Sequence, residues 1–211
     1  MAREVGEYSK LVWSAEAELS CWENRVPICE HKEVPMKRLV ITIAVLAGLL
    51  VTTRVANAEH IRALLTGYEE TPAAVSTTGR GVFRATISDD GQSIRYTLTY
   101  RRLQATVTQA HIHVGQLGIT GSIVIFLCQT ATNPDPTGLS PTCPQEGTVE
   151  GTITAANVIA GSQPPQQLAA GDLAAVVTAI RAGATYANVH TNVSPGGEIR
   201  GQIRVIALSD R

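Results

Sequence analysis

The stretch QAHIHVG, residues 109–115, sets His111 and His113 one residue apart, and TYANVHT, residues 185–191, supplies a third histidine, His190. Imidazole nitrogens suit zinc and copper. One chemistry open to this trio is a mononuclear copper or zinc site, redox-active in the copper case, with His60 or Glu198 as a remote fourth ligand. The other is a hydrogen-bonded polar network, with Glu198 and Arg200 paired and the histidines satisfied by them, which would pin strand register. The two differ in geometry. A metal site brings nitrogens to within about 2.0–2.1 Å of one point. A network bonds each nitrogen to Glu198, a backbone carbonyl or a similar partner.

Which side chains can meet depends on the strands that carry them. Alternate residues of a strand share a face. In QAHIHV, Ala110, Ile112 and Val114 share one face, and Gln109, His111 and His113 share the other. In TYANVHT, Ala187 and Val189 alternate with Tyr186, Asn188 and His190. In GEIRGQIRV, residues 197–205, Ile199, Ile203 and Val205 alternate with Glu198, Arg200, Gln202 and Arg204. The turn NVSPGG between the last two holds Pro195 and two glycines, which a reversal needs, so a hairpin is expected with His190 close to Glu198. If the strand at 106–114 joins the same sheet, His111, His113, His190, Asn188, Glu198 and Arg200 form one polar binding face.

The same period runs through the rest of the segment. In GVFRATIS, Val82, Arg84 and Thr86 alternate with Phe83, Ala85 and Ile87, and the turn at Asp89-Asp90-Gly91 leads into SIRYTLTY. That is a hairpin by turn chemistry and period. With IRALLTG at 61–67 and further runs at 106–114, 121–128, 147–154, 184–191 and 197–206, about eight short strands are expected. The fold class is all-β, an antiparallel sandwich or barrel. One stretch has a helical period instead. GDLAAVVTAIRAG puts Leu173, Val176, Val177 and Ile180 on one stripe, with Asp172 to cap the start and Gly183 to end it. This single short helix is expected to cover an open end of the core.

Residues 36–58 have the layout of a secretory signal peptide. Lys37 and Arg38 precede an apolar run from Leu39 to Val51, and Ala56-Asn57-Ala58 offers a small-residue cleavage site. The run is shorter than the roughly 20 residues a spanning helix needs, so no transmembrane anchor is expected after cleavage. The simplest account of residues 1–35 is an upstream extension outside the working protein, with Met36 as the start. Residues 59–211 are then one exported domain, periplasmic or extracellular. This segment has ten arginines, no lysine and eleven acidic residues. No basic patch along it argues for nucleic acid, and no charge block for a membrane surface. Cys128 and Cys143 read as a disulfide in an exported chain. Closing a loop of about 15 residues is worth about 3 kcal/mol in the chain-entropy treatment.

Other reaction classes lack their parts. No GxSxG and no free cysteine of residues 59–211 offers an activated nucleophile. The carboxylate pairs Glu69-Glu70 and Asp89-Asp90 are adjacent, point opposite ways in extended chain, and are expected to be solvated turns. The segment is thus expected to be a non-enzymatic module.

Several motifs together resemble one family. AHIHVGQLGITGSIVIFL, ANVHT and GGEIRGQI, with the opening LLTGYEETPAAVSTTGRG, look like the CHRD domain, named for the animal protein chordin and widespread in secreted bacterial proteins. The likeness spans about residues 60–205. It implies an immunoglobulin-like β-barrel or sandwich, a binding or structural role with a protein or polysaccharide partner, and no particular reaction. On this likeness His111, His113, His190, Glu198 and Arg200 occupy signature positions. A looser likeness is to copper–zinc superoxide dismutase. The four histidines of residues 59–211 are too few for that enzyme's two-metal site.

Overall fold

A computed structural model describes residues 58–162 and 166–206. Residues 1–35 and the expected leader up to Asn57 lie outside the described residues. The chain forms β1 (Glu59–Thr66), β2 (Arg80–Ile87), β3 (Ile94–Arg101), β4 (Val107–Val114), β5 (Ser122–Cys128), β6 (Gly147–Ile153), the helix α1 (Leu173–Arg181), β7 (Thr185–Thr191), β8 (Ile199–Gln202) and β9 (Arg204–Ile206). Short 3-10 turns occupy Gly67–Glu69 and Ala155–Asn157.

All strand pairs are antiparallel, in the order β5-β4-β7-β8-β1-β2-β3-β6, with β9 beside β1. The two ends of this path come together. Tyr96 on β3 donates its hydroxyl to the Leu127 carbonyl on β5 at 2.6 Å, and the Ile159 amide donates to the Val124 carbonyl at 2.9 Å. The sheet is therefore a nearly closed barrel. Its filling follows the period-two pattern. Ile61, Ala63 and Leu65 of β1, Phe83, Ala85 and Ile87 of β2, and Ile94, Tyr96, Leu98 and Tyr100 of β3 are all buried in one core. Each buried Leu, Ile or Phe stabilises the fold by roughly 1.5–3 kcal/mol.

The helix forms where its apolar stripe recurs. Asp172 accepts the Ala175 amide at 2.9 Å as N-cap, and Leu173, Val176, Val177 and Ile180 turn into the core. Cys128, the last residue of β5, is bonded to Cys143 across a separation of 15 residues.

The final expected strand differs from the pattern. It breaks at Ile203, whose amide donates to the Thr185 carbonyl, and the chain leaves β7 to run along β1 as β9. Val205, expected inward, is 45 % exposed there, because this short edge segment has no second strand over it. Among the described residues no helix is long and apolar enough to cross a membrane.

Candidate metal centre

The pairing of β4 with β7 and of β7 with β8 brings the polar faces together. His111 lies opposite Asn188, which lies opposite Arg200, and His113 lies opposite Tyr186, which lies opposite Gln202. His190 sits one step along, opposite Gln109. The apolar alternates Ala110, Ile112, Ala187 and Val189 fill the barrel behind them. The three histidines are almost wholly removed from water, at 0 % exposure for His111, 6 % for His113 and 5 % for His190.

Two backbone carbonyls settle the protonation of the rings. His113 Nδ1 lies 3.1 Å from the Gly121 carbonyl, and His190 Nδ1 lies 2.9 Å from the Pro195 carbonyl. A carbonyl only accepts, so both Nδ1 atoms carry hydrogen and both neutral rings present a bare Nε2. His111 Nδ1 is 3.2 Å from His190 Nε2 and must donate to it. The Nε2 atoms of His111 and His113 are buried with no hydrogen-bond partner among the described residues. All three rings stay neutral across the physiological range. Burial drives the His111 value well below the usual imidazole range, helped by the other two histidines. Burial likewise pushes His113 down to about 3, against the Gly121 bond, and lowers His190, against the Pro195 bond.

The arrangement suits a cation. One nitrogen from each of His111, His113 and His190 lies within 4.8 Å of the others. The 3.2 Å gap between His111 Nδ1 and His190 Nε2 is close to the roughly 3.3 Å that two ligands keep around a tetrahedral zinc. Histidine ligands of metals almost always donate their other ring N–H to a carboxylate, carbonyl or water. His113 and His190 are held in that way, each by a carbonyl of a loop that follows its own strand.

Packing fixes the rings further. His111 meets Phe126 edge-on at 4.3 Å between centroids, and His113 stacks on Tyr186 at 4.6 Å. The Arg200 guanidinium carbon lies 3.5 Å over the same tyrosine ring. Two groups that close cannot share one face, so Tyr186 separates the cation from His113. Arg200 also donates to Thr71 Oγ1 and to the carbonyls of Gln116 and Ile119, and the Tyr186 hydroxyl accepts the Gly121 amide. The loop that holds His113 is thereby tied to β7 and β8.

Four sequence expectations are corrected here. Glu198 and Arg200 are not paired. The Glu198 carboxylate accepts from Thr77 Oγ1, the Gln104 amide and Thr191 Oγ1. It precedes β8 and turns toward Thr191, on the opposite pleat from His190, so it bonds none of the histidines. His60 on β1 is bonded to Thr86 on β2 and lies outside the trio, so neither proposed fourth ligand is at the centre. Glu70, expected in a solvated turn, is buried and accepts from Asn188 Nδ2 at 2.7 Å, while its neighbour Glu69 is exposed. Burial raises the Glu70 carboxyl to about 7, against the Asn188 bond, the Arg200 charge and the Thr71 amide. The Asn188 Oδ1 atom is also buried and unpartnered among the described residues.

Of the supporting residues, Gly121 and Phe126 were not singled out by sequence reasoning, and Tyr186, Pro195 and Glu70 were given a strand or turn position but no role at the site. For Glu70 a signal existed: adjacent residues of extended chain point opposite ways, so a packed segment must turn one of the two glutamates inward.

A family model for the CHRD domain matches residues 61–203. Neither a curated protein nor a solved structure matches the chain. The matched span takes in most of β1, all of β2 to β8, the three histidines and Arg200, so on sequence and fold together the chain belongs to the CHRD domain family.

Proposed function

We propose that this CHRD domain is an exported, non-enzymatic binding module that holds one copper or zinc ion on His111, His113 and His190. The observation that carries this is the buried, unpartnered Nε2 lone pair of His113 beside the close ring nitrogens of His111 and His190. A buried acceptor left unsatisfied costs about 1–3 kcal/mol, and a purely structural network would retain that cost at both His111 and His113. A bound ion removes it at His113 Nε2 and replaces the His111–His190 contact with two coordination bonds, the His111 proton moving from Nδ1 to Nε2. Burial also favours holding over turnover, because no substrate reaches rings that are 0–6 % exposed. Neutral imidazoles need lose no proton to bind. Export is supported by the leader pattern at 36–58 and by the Cys128–Cys143 disulfide, which persists in oxidising compartments. Periplasmic and extracellular placement both satisfy these features.

The test is metal content. The exported protein is purified without chelator or histidine tag, and copper and zinc are measured by mass spectrometry before and after each metal is added. About one equivalent is expected, lost in His113→Ala and His190→Ala while circular dichroism shows the fold retained. No bound metal after add-back, or the same metal content in both variants, overturns the assignment.

A further inference from the structure

The outward face of the barrel away from the histidines carries a charge pattern that composition conceals. Arg62 on β1, Arg80 and Arg84 on β2, Arg95 and Arg101 on β3, and Arg204 on β9 all alternate with core residues and point away from the barrel interior. Arg204, Arg62 and Arg84 are direct cross-strand neighbours in one row. Arg80 and Arg101 are opposite each other in another. Among the described residues the one acid in register on this face is Glu150, opposite Thr97. Six arginines thus stand on this face, with Glu150 in register and Glu69 at its margin.

Like charges directly opposite each other destabilise a sheet. The relief among the described residues is partial: Arg80 donates to the Thr77 and Gly79 carbonyls, and Glu69 lines one cleft with Arg62 and Arg204. The one ion pair among the described residues is Arg181 with Glu59, away from this face. The Arg62 Nε atom is buried between its neighbours with no partner, and Arg84, Arg95, Arg101 and Arg204 are exposed. A near-neutral domain that concentrates its cations on one face presents a directed positive field.

We infer that this arginine face binds an acidic polysaccharide, a polymer with a carboxylate or sulfate on each repeat. The guanidinium fork matches both groups bidentately. Adjacent strands are about 4.8 Å apart and alternate residues about 6.7 Å apart, so the face is a grid of cations that a periodic anion can follow. Thr66, Thr86, Thr97 and Thr99 stand between the arginines and offer hydroxyls to a sugar. Single-stranded nucleic acid is held by stacking on aromatic rings, and the outward residues of β1, β2, β3 and β9 include no Phe, Tyr or Trp. The inference is independent of the metal centre.

The full chain is titrated calorimetrically with polygalacturonate, dextran sulfate, neutral dextran and single-stranded DNA at a series of salt concentrations. Binding to one or both acidic polysaccharides is expected, weaker as salt rises and absent with neutral dextran. Arg84→Ser/Arg204→Ser, at two exposed positions, is expected to weaken it about tenfold. Arg95→Ser/Arg101→Ser gives a second, separate loss. His113→Ala leaves it unchanged, which separates this result from failure of the metal assignment. The inference is overturned by no binding to either acidic polymer, by equal binding to neutral dextran, by unchanged binding in both double variants, or by tighter binding to DNA than to either polysaccharide.

Discussion

Replacing Glu70 by glutamine should stabilise the protein at neutral pH and leave it unchanged in acid. The Glu70 carboxyl is 7 % exposed and titrates at about 7 in the folded protein, against 4.5 for the ordinary group. Desolvation is the leading cause, and it outweighs the Asn188 bond and the Arg200 charge. Below pH 4.5 both folded and unfolded chains hold the proton, and the group adds no pH-dependent penalty. From pH 4.5 to about 7 the unfolded chain releases the proton while the folded chain keeps it, so stability falls as pH rises. At about 1.4 kcal/mol per pH unit the loss sums to roughly 3 kcal/mol, a large part of the roughly 5–15 kcal/mol that holds a domain. Above pH 7 it stays constant.

Glutamine cannot ionise, and its Oε1 can still accept from Asn188. The histidines titrate alike in both proteins, so their contribution cancels in the difference. Urea unfolding followed by far-ultraviolet circular dichroism at pH 4.5, 5.5, 6.5, 7.5 and 8.5 measures that difference for Glu70→Gln against the parent. The advantage of the variant should grow from near zero to roughly 3 kcal/mol and then level off. A difference that does not change with pH would show that the carboxyl is solvated or fully compensated by Arg200, and the reasoning would fail.

Two predictions concern the frame around the centre. Gly197 has φ +130°, and a Cβ there would lie 2.6 Å from the Asn188 amide and 2.7 Å from Glu70 Oε1. Gly197→Ala should therefore destabilise by about 1–3 kcal/mol and lower the melting temperature by several degrees, and an unchanged melting curve would contradict the packing described. Reduction of Cys128–Cys143, or its replacement by two serines, frees a 15-residue separation. It should remove about 3 kcal/mol in urea unfolding, and no shift would mean that the segment is held by its other bonds alone.

The histidine faces were legible because a strand gives them away. QAHIHV and TYANVH alternate without a break, so the side of each imidazole followed from counting. The partners of those imidazoles were not legible. Glu198 looked like a neighbour of His190 across the hairpin, and the register does set Val189 against Ile199. Yet Glu198 lies just outside β8, where the pleat no longer fixes direction, and Thr77, Gln104 and Thr191 draw its carboxylate away. Glu70 shows the same limit, since a loop residue's burial depends on what folds over it.

Local patterns already specified the barrel strands, the helix at Leu173–Arg181 and the polar sides of β4, β7 and β8, and the cysteine pair specified the disulfide. These are short-range properties: alternation, capping and turn chemistry act over a few residues. It took the folded sheet to pair β4 with β7, which brings His111 and His113 to His190 across about 80 residues of chain, and to align three arginines of β9, β1 and β2 in one row. Strand order and register are set by which faces fill one common core, a long-range condition that no local pattern states.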